Sequence, residues 1–215
     1  DKGKLAGVYG IEGAHPLEGD LDNIARLYDK GLRVMGLQHF FDNELGGSLH
    51  GQSGAGLTPF GKQAVDAAVR QGMIIDVAHS SEAVVRDVLA RTEKPVIVSH
   101  TGLKGHCDTA RNIPDDLMQA IADHGGLVGV GYWEAAACST TPEGIAAQIV
   151  YAIDLLGLEH VALGSDYDGA VTTGFDASEL PALTEALINA GLTEDQIRAV
   201  MGGNAVRFFL EHLPQ

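Results

Sequence analysis

Short apolar runs alternate with longer amphipathic segments about every 30 residues along this chain, and no other feature restricts the fold as much. This is the pattern of βα units feeding a parallel sheet. The predicted strands are residues 5–11 (LAGVYGI), 33–38 (RVMGLQ), 73–78 (MIIDVA), 95–99 (PVIVS), 127–133 (LVGVGYW) and 160–165 (HVALGS). Strands covered on both faces read as such continuous apolar runs. The predicted helices cover 20–30, 58–71, 81–91, 114–124, 142–156, 178–190 and 193–212. Asp20 and Gly31 bracket the first as start and stop signals. Thr58-Pro59 opens the second with an N-cap followed by proline at the first helical position.

Six strands in strict alternation with helices fit a (β/α)8 TIM-type barrel that lacks two units, or an open doubly wound sheet. No GxGxxG follows the first strand and no GxxxxGK[ST] occurs, so nucleotide-binding forms of the open sheet lose ground. No linker, charge block or low-complexity segment divides the chain, and we expect one α/β barrel domain over 1–215. A barrel places its chemistry at the C-terminal ends of the strands.

Those ends carry a distinctive set of side chains. Glu12 follows the first strand, His39 the second, His79 the third, His100 the fourth and Asp166 the sixth. A lone histidine at such a place is more often a hydrogen-bonded core residue than a ligand. Five of six strand ends carrying Glu, His or Asp is a different matter, because parallel strands of a barrel would bring these groups to one mouth. Neutral imidazoles and carboxylates at one locus are the donor set of Zn²⁺ or a similar ion. A divalent cation also offsets the cost of crowding carboxylates in a low-dielectric pocket. A metal-bound water with a lowered pKa supplies hydroxide at neutral pH, so hydrolysis is the simplest reaction to infer. The remaining histidines read as bland: His15 and His50 lie in glycine-rich loops, His124 ends a helix, His160 starts a strand and His212 is terminal. His106 and Asp108 form a His-x-Asp, but no strand precedes them.

Composition bounds the partners. A formal charge of −15 over 215 residues opposes binding to nucleic acid or an anionic membrane. No run of 18 apolar residues is present to cross a bilayer, and the first ten residues lack the apolar core of a signal peptide. Two cysteines, Cys107 and Cys138, are too few for a disulfide scaffold and have no CxxC spacing, although one disulfide is open to them.

Six blocks carry a resemblance: GIEGAHPL (10–17), LTPFGKQAVDAAVRQGMIIDVAHSS (57–81), PVIVSH (95–100), ARNIPDD (110–116), HVALGSDYDG (160–169) and GGNAVRFF (202–209). In this order they resemble the membrane (renal) dipeptidase family of the amidohydrolase superfamily. The resemblance implies a (β/α)8 barrel holding two zinc ions and hydrolysing dipeptides, including those with a C-terminal D-residue, by attack of a metal-bridging hydroxide. By it, Glu12 matches the carboxylate that bridges the metals, and His79 and His100 match two further metal ligands. His39 matches a histidine that contacts substrate and steadies the tetrahedral intermediate. Arg111 resembles the arginine near the substrate carboxylate, a task its planar fork suits. Asp166 matches the acid/base aspartate.

The family's first strand carries a His-x-Asp pair for the first metal, and this sequence has no such strand. The resemblance thus places the two missing βα units at the N-terminus, and the chain is expected to be the C-terminal two-thirds of a longer polypeptide. A naturally short, mononuclear relative is the alternative. Some family members have a disulfide at places similar to Cys107 and Cys138, which implies an oxidising compartment, periplasmic or secreted; free thiols in a cytoplasmic enzyme are the other reading. Two other functions compete: an amidohydrolase of another substrate, a lactonase or deacetylase, and a non-catalytic relative with an incomplete metal site. A homodimer is also left open.

Overall fold

The structure, a computed structural model, describes residues 6–214. It contains two compact units, Asp1–Lys94 with Leu213–Gln215, and Pro95–His212. Each is built on three parallel strands.

In the first unit β1 (Tyr9–Ile11), β2 (Leu32–Gly36) and β3 (Ile74–Asp76) are neighbours in that order. Ile11 lies opposite Met35, and Gly36 opposite Asp76. Leu5, where the first strand was predicted to begin, lies outside the described residues. The crossovers are α1 (Asp22–Asp29) and α2 (Pro59–Gln71), and α3 (Glu82–Leu89) follows β3. Local chemistry sets their ends. The Thr58 hydroxyl accepts from the Gly61 amide and the Ser81 hydroxyl from that of Val84, N-caps each worth about 1 kcal/mol. Gly72 closes α2 at a φ of 81°, where a residue with a Cβ would be strained. Asp20 is not the cap of α1. Leu21 occupies that position, and Asp20 instead accepts the amide of Asp22 at 2.9 Å.

In the second unit β4 (Ile97–Thr101), β5 (Leu127–Val130) and β6 (Val161–Leu163) are again parallel neighbours. The helices are α4 (Asp115–Asp123), a one-turn α5 (Glu134–Ala137), α6 (Pro142–Leu156), α7 (Leu180–Asn189), α8 (Glu194–Arg198) and α9 (Asn204–His212). The single helix predicted over 193–212 is interrupted by a π-helical turn, Ala199–Gly203, where Gly202 has a φ of 154°. The Gly202-Gly203 pair removes the side chains that would hold a regular turn. Asn204, 5% exposed, then ties α9 to the start of β6 by donating to the carbonyls of Leu158 and Val161.

The apolar runs are buried as their sequences require. Met35, Leu37, Ile75 and Val77 lie buried in the first unit, as do Val65, Ala68, Val84 and Val88. Val98, Val128, Val130 and Val161 do so in the second, with Leu117, Met118, Ile121, Ile145 and Ile149 among their buried companions. Among the described residues no helix is long and apolar enough to cross a membrane.

Candidate metal centre

Three predicted site residues meet in the first unit: Glu12 and His79, expected to hold metal, and His39, expected to contact substrate. Glu12 directly follows β1, and His39 and His79 each stand three residues beyond the ends of β2 and β3. His79 Nε2 lies 2.8 Å from Glu12 Oε1, and His39 Nε2 lies 3.7 Å from Glu12 Oε2. The rings of His39 and His79 meet edge-on with centroids 4.7 Å apart. One donor atom from each residue falls within 4.8 Å of the other two. A tetrahedral ion with bonds of about 2.0–2.1 Å holds its donors roughly 3.3 Å apart, a separation bracketed by the 2.8 and 3.7 Å seen here. Two imidazoles and a carboxylate at this spacing fit zinc.

The backbone around these ligands is tightly prescribed. A Cβ on Gly36 would come within 2.7 Å of the Ile11 carbonyl and 3.3 Å of the Glu12 Cα, so glycine there lets the strand bearing Glu12 approach β2. Asp76 has a clear part: its carboxylate accepts the amide of Ala78 at 3.0 Å, an Asx turn that redirects the chain between β3 and His79. Asp42 organises the long loop after His39, accepting the amides of Ser48, Ser53 and Gln52. Those amide bonds, that of Ser48 foremost, hold its carboxyl below the usual carboxylate range. The loop brings in Phe40, which the sequence reading passed over, and His50, which it read as bland. The Phe40 ring is 4.1 Å from that of His39, and the His50 ring is 5.3 Å from that of His79.

The other predicted site residues are in the second unit. His100 does not follow a strand but lies within β4, which runs two residues beyond its predicted end. Hydrogen bonds continue the ladder because Thr101 pairs with Val130 after a bulge. Ser99 Oγ meets His100 Nδ1 at 2.8 Å, and His100 Nε2 stands 3.9 Å from Asp166 Oδ1. Asp166 adopts a φ of 61°, a conformation uncommon outside glycine and concentrated at functional sites. Its segment rests on an aromatic wall: the Tyr132 ring is 5.6 Å from Tyr167 and 5.2 Å from Phe175, and Trp133 bridges to Thr173. Burial raises the pKa of the Tyr132 phenol, and that of Tyr167, so both stay neutral at pH 7. Arg111, 7% exposed, donates to Thr101 Oγ1 at 2.9 Å and to the His100 carbonyl at 2.7 Å, with its guanidinium 5.2 Å from the Trp133 ring centre. His106 faces Tyr151 rather than a donor cluster.

Cys107 and Cys138 form a disulfide, with Cα atoms 5.5 Å apart. It fastens the segment leading to Arg111 to the end of α5, beyond Trp133. Bridging residues 31 apart restricts the unfolded chain by about 3–4 kcal/mol. A Cys107→Ser, Cys138→Ser variant is expected to lose that much stability in urea unfolding. A midpoint equal to that of the oxidised protein would contradict it.

A parallel α/β fold here gathers two imidazoles and a carboxylate beyond its strand ends, a donor group able to hold a metal ion. The profile of the membrane dipeptidase family (Peptidase family M19) matches residues 1–212. The chain is 34% identical over 227 aligned residues to dipeptidase aclJ of Aspergillus oryzae, covering 98% of this chain and 53% of that protein. Thus it spans about half the length of this curated relative. The solved structure of dipeptidase AC, a metallopeptidase of family M19, aligns at a TM-score of 0.86 and 25% identity, over 96% of this chain and 64% of that one. A metallopeptidase from Rhodobacter sphaeroides, liganded with a phosphinate mimic of the dipeptide L-Ala-D-Ala, aligns at 0.84 and 26% identity, over 97% and 63%. An amidohydrolase from Pseudomonas aeruginosa aligns at 0.87 and 24% identity, over 97% and 73%. This chain belongs to the membrane dipeptidase family, and it shares the barrel-type α/β fold of these structures.

Proposed function

We propose that the protein is a zinc-dependent dipeptidase that accepts dipeptides with a C-terminal D-residue and, as a complete enzyme, uses two zinc ions. The observation that carries this reading is the meeting of Glu12, His39 and His79 donor atoms within 4.8 Å. The phosphinate dipeptide mimic on the R. sphaeroides relative supports the substrate class. Glu12, His79 and His100 would hold the metal in this reading. Bound zinc supplies Lewis acidity and activates water at neutral pH.

The remaining roles fall to the chain's own side chains. Asp166 takes the proton released as water attacks the peptide carbonyl and returns it to the leaving amine. His39, about one-third exposed beside Glu12, donates from its ring to the oxygen that gains charge at the carbonyl. Arg111 orients the free carboxylate of the substrate, held in place by Thr101, the His100 carbonyl and Trp133. The Cys107–Cys138 disulfide supports an oxidising compartment.

Chelation followed by zinc addition tests the assignment. The chelated protein is expected to lose hydrolysis of L-Ala-D-Ala and L-Ala-L-Ala, and zinc is expected to restore it. Hydrolysis that survives chelation would refute the metal role. Turnover of lactones without turnover of dipeptides would instead place the protein among other amidohydrolases.

A further inference from the structure

The three strand-end site residues of the first unit, Glu12, His39 and His79, sit on separate segments, and something must fix the distances between those segments. One tie is made by the backbone: the Ala14 amide, two residues after Glu12, donates to the Leu37 carbonyl, two residues before His39, at 3.2 Å. A second is made by side chains. Ser80, immediately after His79, donates through Oγ to Oε1 of Gln38, immediately before His39, at 2.7 Å. Both are sequestered, Gln38 at 2% and Ser80 at 1% exposure.

The Gln38 pairing is conspicuous for what it costs. Its Oε1 is bonded, but its buried Nε2 has no hydrogen-bond partner among the described residues. A buried donor left unpaired costs about 1–3 kcal/mol, and replacing both partners of such a bond by apolar groups is often neutral or stabilising. Folding alone therefore gives no reason to prefer glutamine over methionine there. Ser48 adds a neighbouring tie, pairing with Ser80 across a β-bridge and donating to the His39 carbonyl at 2.5 Å. Leu49, next along, donates to the His79 carbonyl at 2.8 Å.

We infer that Gln38 and Ser80 are positioning residues, their buried hydrogen bond fixing the metal-holding His79 against the segment that carries the substrate-facing His39. The inference rests on the reading of Glu12 and His79 as zinc-holding residues, with His39 facing the substrate beside them. Groups that orient metal ligands without touching the metal typically change metal affinity 10–100-fold when removed.

Zinc affinity, measured by competition with a chromogenic chelator, and urea stability of the metal-free protein test this in Gln38→Met, Ser80→Ala and the double variant. Each single variant is expected to bind zinc about 10–100-fold more weakly, and the double variant no more weakly than either single. The metal-free double variant is expected to be at least as stable as the wild type. Zinc binding equal to wild type in folded Gln38→Met and Ser80→Ala would overturn the inference while leaving the metal centre intact. So would a loss of metal-free stability that accounts for the whole loss of affinity. A wild-type protein that binds no zinc would overturn the metal reading itself, an outcome distinct from both.

Discussion

His79→Ala is expected to strip the protein of tightly bound zinc and reduce dipeptide hydrolysis to background. His79 is the most enclosed of the clustered side chains, 6% exposed against 32% for His39 and 38% for Glu12. Binding free energies of about 10–16 kcal/mol shared among four ligands imply roughly 3 kcal/mol for each. Losing one should weaken zinc by a factor on the order of 10² or more. Alanine also leaves Glu12 Oε1 without the imidazole that now stands 2.8 Å away, so neighbouring groups cannot easily substitute. Elemental analysis after gel filtration, beside a circular-dichroism check of folding, reads the result. Folded His79→Ala with a full complement of zinc would exclude this residue as a ligand.

The scaffold was legible because burial on two faces leaves a direct trace in sequence. Runs such as MIIDVA and LVGVGYW have no polar stripe to disguise them, and β3 and β5 lie within them. Helix starts were legible where a side chain closes the cap, as at Thr58 and Ser81. Boundaries set by tertiary context were not. Strand β4 continues through His100 because β5 supplies a ladder beyond the bulge, and α5 is too short at four residues for any periodicity to reveal it.

The site shows the same division. Glu12, His39 and His79 could be read from their strand-end positions, which the backbone period fixes. His50 and Phe40 could not, since their places depend on a loop folded around the Asp42 carboxylate, and no spacing rule records such a fold. Asp42 with glycines and serines following it, in DNELGGSLHGQSG, is the signal that was available. An acidic residue ahead of many small residues can gather their amides. Trp133 was noted only as the end of a strand, yet it faces both His100 and Arg111.

Asp166→Asn is expected to lower dipeptide turnover about 10²- to 10⁴-fold, the usual contribution of a positioned acid/base, while leaving the fold undisturbed. The backbone makes this substitution unusually clean. At a φ of 61° most residues with a Cβ pay about 1–2 kcal/mol, whereas Asp and Asn tolerate the left-handed region because their short polar side chains bond locally. Asparagine therefore keeps the shape and the conformation and removes only the ability to carry a proton. Asp166→Ala removes the same ability but adds the backbone strain, so it should unfold at lower urea than Asp166→Asn with similarly depressed turnover. Packing of the adjacent Tyr167 on Tyr132, and the Trp133–Thr173 bridge, hold the segment in either variant. Wild-type turnover in Asp166→Asn would remove this residue from proton transfer. Equal stability of the asparagine and alanine variants would show that the left-handed turn is not held under strain.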